Sequence, residues 1–215
     1  MFNSKYSNFL TVLLVVAIIA ILVLLGFFGY DLYVKYFKNK DAHEAISQFE
    51  KEVEDNQNTL DTGDIEGVGE TNIGGGASKG KTQLQGYNVI GTIEIPKIDI
   101  KYPVLENVTK GSIEVSVAML SGPGLNQVGN TVIVGHNYRN GTMFSKLSKL
   151  SNGDTIYITD YSGTRLKYTI YNIYETDASD YDYSTRDTQG GIEISLSTCV
   201  TNNSKRRTII WAKAE

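Results

Sequence analysis

Residues 191–199 read GIEISLSTC and residues 207–213 read RTIIWAK, with a polar stretch between them. In the first segment Ile192, Ile194 and Leu196 recur at every second position, which is the period of a β-strand with one buried face. The second segment is rich in the β-branched and aromatic residues that favour strands. A tight polar loop would bring the start of the second strand back to the end of the first, so this region predicts two strands whose ends meet.

Similar segments recur along the preceding sequence. They are rich in Ile, Val, Thr and Tyr and are separated by Gly, Asn or Asp, as short strands and turns are; they read GTIEIPKI, IDIKYPVLE, NTVIVGH, DTIYITD and RLKYTIYNIYE. With the two C-terminal segments they amount to about seven or eight strands in about 130 residues, which predicts an all-β barrel or sandwich. Residues 110–119 and 142–150 have helical spacing and predict short helices packed on that structure.

The N-terminal part of the chain has a different composition. Residues 9–30 carry no charge over 22 positions, which at about 1.5 Å per residue is long enough to cross a membrane. The apolar run exceeds the ~7–15 residues of a cleavable signal peptide, and no small-x-small cleavage site follows it. We therefore predict an uncleaved transmembrane anchor, preceded by a short tail of residues 1–8.

Two segments separate this anchor from the strands. Residues 31–60 are rich in charge and place apolar residues such as Ile46 and Phe49 at intervals of three and four, which predicts an amphipathic juxtamembrane helix. Residues 61–81 are rich in glycine and hold little apolar bulk, so they predict a flexible linker. Residues 82–215 are then expected to form the functional domain.

Charge and cysteine content exclude several functions. A net charge of −4 and a sequence pI of 5.3 argue against nucleic acid as a partner, because its binding depends on clustered lysine and arginine. The single cysteine, Cys199, excludes an intramolecular disulfide and a cysteine-rich zinc site. A lone cysteine is most often a small buried apolar residue, so its neighbours must decide its role.

Three polar residues are predicted at strand ends. Cys199 ends one strand, His136 follows another and opens a polar loop, and Arg207 begins the last strand. A thiolate is the reactive form of cysteine, a nearby cation stabilises it, and histidine can protonate a leaving amine. An arginine can stabilise the oxyanion of a tetrahedral intermediate. Asn137 can orient His136, although a loop asparagine is more often a turn former.

The local sequences around these residues resemble the sortases of Gram-positive bacteria. Residues 196–199, LSTC, match the family's Leu-x-Thr-Cys nucleophile signature, and residues 134–136, VGH, match its strand-Gly-His motif. Residues 207–212, RTIIWA, resemble the final strand that is opened by the family's catalytic arginine. The motifs occur in the family's order. The resemblance implies a closed sortase-type β-barrel of about seven or eight strands with short peripheral helices.

The resemblance also implies roles for individual residues. Cys199 would be the nucleophile, His136 its proton-transfer partner and Arg207 the cation that stabilises the oxyanion. Thr198 and Ser197 are candidate contacts for the substrate. The resemblance leads us to expect no cofactor and no metal.

Two questions stay open within this resemblance. Arg206 adjoins Arg207, and only one of them can face the site because side chains alternate along a strand; the family's spacing favours Arg207. Residues 135–147, GHNYRNGTMFSKL, are most similar to class B sortases. The region between Tyr174 and Ile192 is too short for the long helix of that class, so the resemblance does not fix the subclass.

By resemblance, the protein is a membrane-anchored cysteine transpeptidase. It would cleave a C-terminal sorting signal of the Leu-Pro-x-Thr-Gly or Asn-Pro type in a secreted protein, and pass the acyl group to a cell-wall amine of a peptidoglycan precursor or cross-bridge. Residues 1–8 would be cytoplasmic and residues 82–215 extracellular. Lysines after the anchor outnumber Lys5 before it, and this charge difference by itself favours the reverse orientation.

The sequence leaves two other functions open. A cysteine peptidase that releases the acyl group to water would use the same residues. A membrane-tethered β-domain that only binds a wall component would keep Cys199 in its core.

Overall fold

A computed structural model describes residues 4–61, 82–138 and 141–215. Within these ranges a long N-terminal helix is followed by strands and short helices. In chain order they are α1 Ser4–Asp61, β1 Gln83–Leu84, β2 Tyr87–Ile95, β3 Ile100–Leu105, α2 Ser112–Val115, β4 Val117–Ser121, β5 Gly129–Val134, β6 Thr155–Asp160, β7 Arg165–Asp177, α3 Asp182–Thr185, β8 Ile192–Val200 and β9 Asn203–Ala214.

The strands close into a barrel. The order around the ring is β2-β3-β4-β5-β8-β9-β7-β6, and β6 pairs back onto β2, while the two-residue β1 extends β2 outside the ring. The β3–β4 and β5–β8 pairs are parallel and the others antiparallel. The predicted closed barrel with short peripheral helices is therefore confirmed.

Side chains alternate between the barrel interior and its outer face. Leu196 of β8 pairs with Ile210 of β9, and both are fully buried in the main core. The next pair, Ser197 with Ile209, lies on the opposite face, where Ile209 packs in a separate cluster with Tyr183 of α3. By the same alternation, the pair Cys199 and Arg207 lies on the same face as Ser197 and Ile209.

The prediction of a helix over residues 110–119 is wrong in its second half. α2 is a single turn, and β4 begins two residues after it ends. A short apolar run such as VSVAML fits either period, and pairing of β4 with β3 and β5 decides between them. Residues 142–150 contain a 3₁₀ turn rather than an α-helix, and Phe144 and Leu147 are buried there as the spacing predicts.

The connection between β7 and β8 contains one single-turn helix, α3, and no long helix among its described residues. Arg186 anchors this connection. Its guanidinium pairs with Glu193, donates to Tyr171 Oη at 2.8 Å and Asn130 Oδ1 at 3.1 Å, and lies over the Trp211 ring. These contacts tie the connection to the starts of β5 and β8.

Helix α1 contains the predicted membrane-spanning segment. Phe9–Tyr30 is long and apolar enough to cross a membrane, and its large apolar side chains are exposed. The predicted juxtamembrane helix is the continuation of α1 to Asp61. The predicted linker lies, from residue 62 to residue 81, outside the described residues.

The end of α1 belongs to the barrel unit, which is compact from Ala42 to Glu215. Phe49 is fully buried in a cluster with Val89, Leu105 and three other residues of α1 and the barrel, which are Ala45, Leu84 and Ala118. Lys101 Nζ also lies 2.6 Å from Glu50 Oε1. The burial of a phenylalanine alone contributes about 1.5–3 kcal/mol, so this part of α1 is a structural element of the barrel unit.

This packing predicts that the barrel is less stable without α1. A protein of residues 82–215 should unfold with a free energy lower than that of residues 42–215 by at least about 3–5 kcal/mol, the usual loss when one buried phenylalanine is truncated. Urea denaturation of both proteins measures the difference. In the longer protein, Phe49→Ala should reproduce a loss of that size, and equal stability of the two truncated proteins would contradict the structural role of α1.

Candidate active site

The parallel pairing of β5 and β8 brings two of the predicted site residues to the same edge of the barrel. The paired residues end with Val134 opposite Ser197. His136 lies two residues after β5 ends at Val134, and Cys199 lies two residues after Ser197 within β8. Because parallel strands end at the same edge, the loop that carries His136 begins at the edge of the barrel where β8 carries Cys199.

A glycine makes the exit of β5 possible. A Cβ on Gly135 would lie 2.8 Å from Val117 Cγ1 and 2.9 Å from Phe144 Cδ2, so a larger residue would push the strand away from the buried Phe144. The backbone then continues in a fixed path, because Phe144 N donates to the His136 carbonyl at 3.0 Å. The Gly-His sequence therefore sets the position of the histidine backbone.

Arg207 lies directly across the sheet from Cys199. Their Cα atoms are register partners in the antiparallel β8–β9 pair, so their side chains lie on the same face. Arg207 Nη1 donates to the Ser204 carbonyl at 2.8 Å and to the Arg206 carbonyl at 3.2 Å. The guanidinium is thus held at the turn beside the cysteine.

Arg206 lies on the opposite face and has another partner. Its Nη2 donates to the Glu175 carbonyl at 3.3 Å, and its Nε lies 3.4 Å from Glu175 Oε2. Both contacts join β9 to β7 rather than to β8. The register therefore supports the choice of Arg207 over Arg206 as the arginine that faces Cys199.

Thr198 and Ser197, the candidate substrate contacts, are both buried. Thr198 Oγ1 donates to the Gly135 carbonyl at 2.7 Å, which ties the residue before the cysteine to the residue before the histidine. Ser197 is on the same face as Cys199 because the two are separated by two positions. Contact of either side chain with a substrate stays a prediction.

A carboxylate and a phenol flank the histidine. Glu114 Oε1 lies 3.7 Å from His136 Nε2, and the Tyr138 ring packs against the imidazole with centroids 4.8 Å apart. Tyr138 Oη donates to Glu114 Oε2 at 2.6 Å. Burial and this hydrogen bond raise the pKa of Tyr138 above its ordinary value. The three groups form one polar cluster, which the sequence did not predict because Glu114 comes from α2, 22 positions away.

Asn137 contacts the cysteine rather than the histidine. Its Nδ2 donates to the Cys199 carbonyl at 2.9 Å and to Thr201 Oγ1 at 3.1 Å. The sequence predicted only that Asn137 could orient His136 or form a turn. Its position directly after the Gly-His motif was the one signal of a role in the site. The contact with Cys199 could not be predicted, because the two residues are 62 positions apart.

No metal site is evident in the described part of the chain. No three His, Cys, Asp or Glu side chains in residues 4–61, 82–138 and 141–215 cluster as ligands would. The expectation that the reaction needs neither metal nor cofactor stays a prediction. The chemistry available at this edge is that of a thiol, an imidazole and a guanidinium.

Comparison with known proteins identifies relatives of the chain. A family model described as Sortase domain matches residues 93–215. Sortase A of Bacillus anthracis is 30% identical over 133 residues, which cover 60% of this chain and 62% of that protein. The match thus spans less than two thirds of that relative's length.

Solved structures agree in fold. A lid mutant of Sortase A from Corynebacterium diphtheriae superposes with a TM-score of 0.54 at 28% identity, covering 59% of this chain and 70% of the other. A Clostridium perfringens Sortase D5 transpeptidase gives a TM-score of 0.60 at 24% identity, covering 82% of this chain and 99% of the other. Cys199, His136 and Arg207 all lie within the residues that the family model matches.

The register of β9 predicts different outcomes for the two arginines. Lysine cannot reproduce the planar fork of donors of Arg207, so Arg207→Lys should lower the turnover of a cleavable peptide by about 10²–10³-fold, the scale of one lost oxyanion donor. Arg206→Lys should lower it by less than about tenfold, or about 1.4 kcal/mol in the barrier. Steady-state rates measured side by side test both. The reverse order of effects would transfer the role to Arg206.

Proposed function

The chain belongs to the sortase family, and we propose on this premise that it is a membrane-anchored cysteine transpeptidase acting on secreted proteins. The observation that supports the proposal is the strand register, which brings the backbones of Cys199, His136 and Arg207 to one edge of the barrel. Cys199 and Arg207 are cross-strand partners, and parallel pairing brings the histidine strand beside the cysteine strand. A thiol, an imidazole and a guanidinium can together supply the nucleophile, the proton transfer and the oxyanion stabilisation of acyl transfer through a thioester.

In the first step, the Cys199 thiolate attacks the carbonyl carbon of the threonine in the sorting signal. The carbonyl oxygen becomes an oxyanion, and the Arg207 guanidinium stabilises it by charge and hydrogen bonds. Collapse of this intermediate breaks the peptide bond. His136, as imidazolium, gives a proton to the departing amine, and the acyl group stays on sulfur as a thioester.

In the second step, the amine of a cell-wall precursor or cross-bridge attacks the thioester carbonyl. His136 takes the proton that the amine loses, and the thiolate leaves as the new amide bond forms. The enzyme returns to its starting protonation state. Glu114 Oε1 lies 3.7 Å from His136 Nε2, so a carboxylate flanks the proposed proton-transfer group.

The substrate side of the site is proposed to lie on the outer face of β8 and β9. Ser197 and Ile209 pair on this face, next to the Cys199 and Arg207 pair. We propose that Ser197 lies close to the bound signal and that Thr198 acts from the other face by holding the Gly135 carbonyl. The signal itself is proposed to be of the Leu-Pro-x-Thr-Gly or Asn-Pro type, as in the family.

The proposed location follows from the substrate and the anchor. Secreted proteins and wall amines lie outside the cell, so the barrel must be on the extracellular side. Phe9–Tyr30 is long enough to anchor it. Residues 1–8 are then cytoplasmic, and the protein crosses the membrane once.

The proposal predicts a covalent reaction that depends on Cys199. We expect the protein to cleave a panel of Leu-Pro-x-Thr-Gly or Asn-Pro peptides and to transfer the acyl part to triglycine, with a thioacyl enzyme visible by mass spectrometry. Cys199→Ala should lose cleavage and transfer by at least about 10³-fold, because it removes the nucleophile. Circular dichroism of the variant should stay native.

Other outcomes of the same experiment identify the other functions. Cleavage that saturating amine never diverts from hydrolysis would identify a peptidase. Absence of cleavage, with a Cys199 thiol inert to iodoacetamide in the folded protein, would favour a wall-binding domain. Near-native turnover of Cys199→Ala would end the covalent mechanism.

A further inference from the structure

Two hydrogen bonds from side chains to backbone cross between the exits of β5 and β8 in opposite directions. Thr198, just before the cysteine, donates to the carbonyl of Gly135, just before the histidine. Asn137, just after the histidine, donates to the carbonyl of Cys199 itself. The two proposed catalytic residues are thus joined through their neighbours on both sides.

The bond from Asn137 forms where the regular ladder has ended. The last residues paired between β5 and β8 are Val134 and Ser197, with one more backbone bond from Gly135 N to the Ser197 carbonyl at 3.2 Å. On the other side, the register between β8 and β9 shifts directly after Cys199. The Cys199 carbonyl therefore has no partner from a continuing β5, and the Asn137 amide supplies the N–H that such a strand would have supplied.

The contacts define the orientation of the amide. A carbonyl oxygen can only accept, so the nitrogen of Asn137 and not its oxygen must face Cys199. The same nitrogen also donates to Thr201 Oγ1 at 3.1 Å. One amide therefore holds two residues of the turn that leaves the cysteine strand.

We propose that Asn137 is a positioning residue for the proposed transpeptidase reaction, fixing the Cys199 backbone relative to His136 through its bond to the Cys199 carbonyl. This inference rests on the proposed function. A positioning role differs from a merely stabilising one, because here the hydrogen bond sets the distance between the nucleophile Cys199 and the base His136. Displacements of about 1 Å at reacting groups can cost about 10²-fold in rate.

The test compares Asn137→Ala with Asn137→Asp and a matched control. Aspartate keeps the size of asparagine but presents an acceptor to the Cys199 carbonyl, so both variants lose the bond. Asn88→Ala removes an amide that donates to Glu106 Oε2 at 2.8 Å on another part of the barrel. Three quantities are measured for each protein: kcat and KM for peptide cleavage, the rate of Cys199 alkylation by iodoacetamide at pH 7, and the unfolding midpoint.

Both Asn137 variants should lower kcat by about 10–100-fold and change KM by less than about threefold. The rate of Cys199 alkylation should change by more than about threefold, because a shift of the cysteine backbone changes how far the thiol is exposed to the reagent. Asn88→Ala should leave all rates within about twofold. The alkylation arm needs no peptide substrate, so it tests Asn137 even if the proposed transpeptidase reaction is absent.

Several outcomes overturn the proposal. They are wild-type kcat and alkylation in a folded Asn137→Asp protein, a loss confined to KM, or an equal loss in Asn88→Ala. If Asn137→Ala does not fold, Asn137→Asp carries the test. Failure of both variants to fold would make the amide a determinant of folding and would also overturn the positioning role.

Discussion

The parallel pairing of β5 with β8 is the constraint on which the site depends. The paired residues of these strands lie more than sixty positions apart in the chain, and their ladder ends at Val134 and Ser197. If the two strands ran antiparallel, their ends would lie at opposite edges of the barrel. Only the parallel arrangement brings the polar loop that begins at His136 beside the strand end that carries Cys199. The rest of the barrel closes around this pair.

The antiparallel partner of β8, which is β9, places Arg207 opposite Cys199. A short turn returns the chain so that Arg207 is opposite Cys199, while Arg206 faces the other way and pairs with Glu175 of β7. A shift of one residue would exchange the two arginines. The register is held by the buried Leu196 and Ile210 pair deeper in the same strands, so core packing decides which cation faces the cysteine.

The sequence predicted the features that depend on local periodicity, which are the strands and the faces of their side chains. The alternation over residues 191–199 predicted β8 and its faces, and the closed barrel followed from the number of strands and the family resemblance. The sequence did not predict β4, because its apolar run also suits a helix. The partners of Asn137 and Glu114 were missed for a different reason. Each side chain meets a group brought near by strand pairing or by α2, and periodicity says nothing about such distant contacts.

The end of α1 and the α2 turn share a small core. Phe49 of α1 is buried in a cluster against which Ile113 and Val115 of α2 also pack. Glu114 lies between those two residues and faces His136 from the solvent side. Ile113 and Val115 fix the α2 turn, and that turn fixes the Glu114 backbone. The cluster that binds the end of α1 to the barrel therefore also supports the turn that carries the carboxylate beside the histidine.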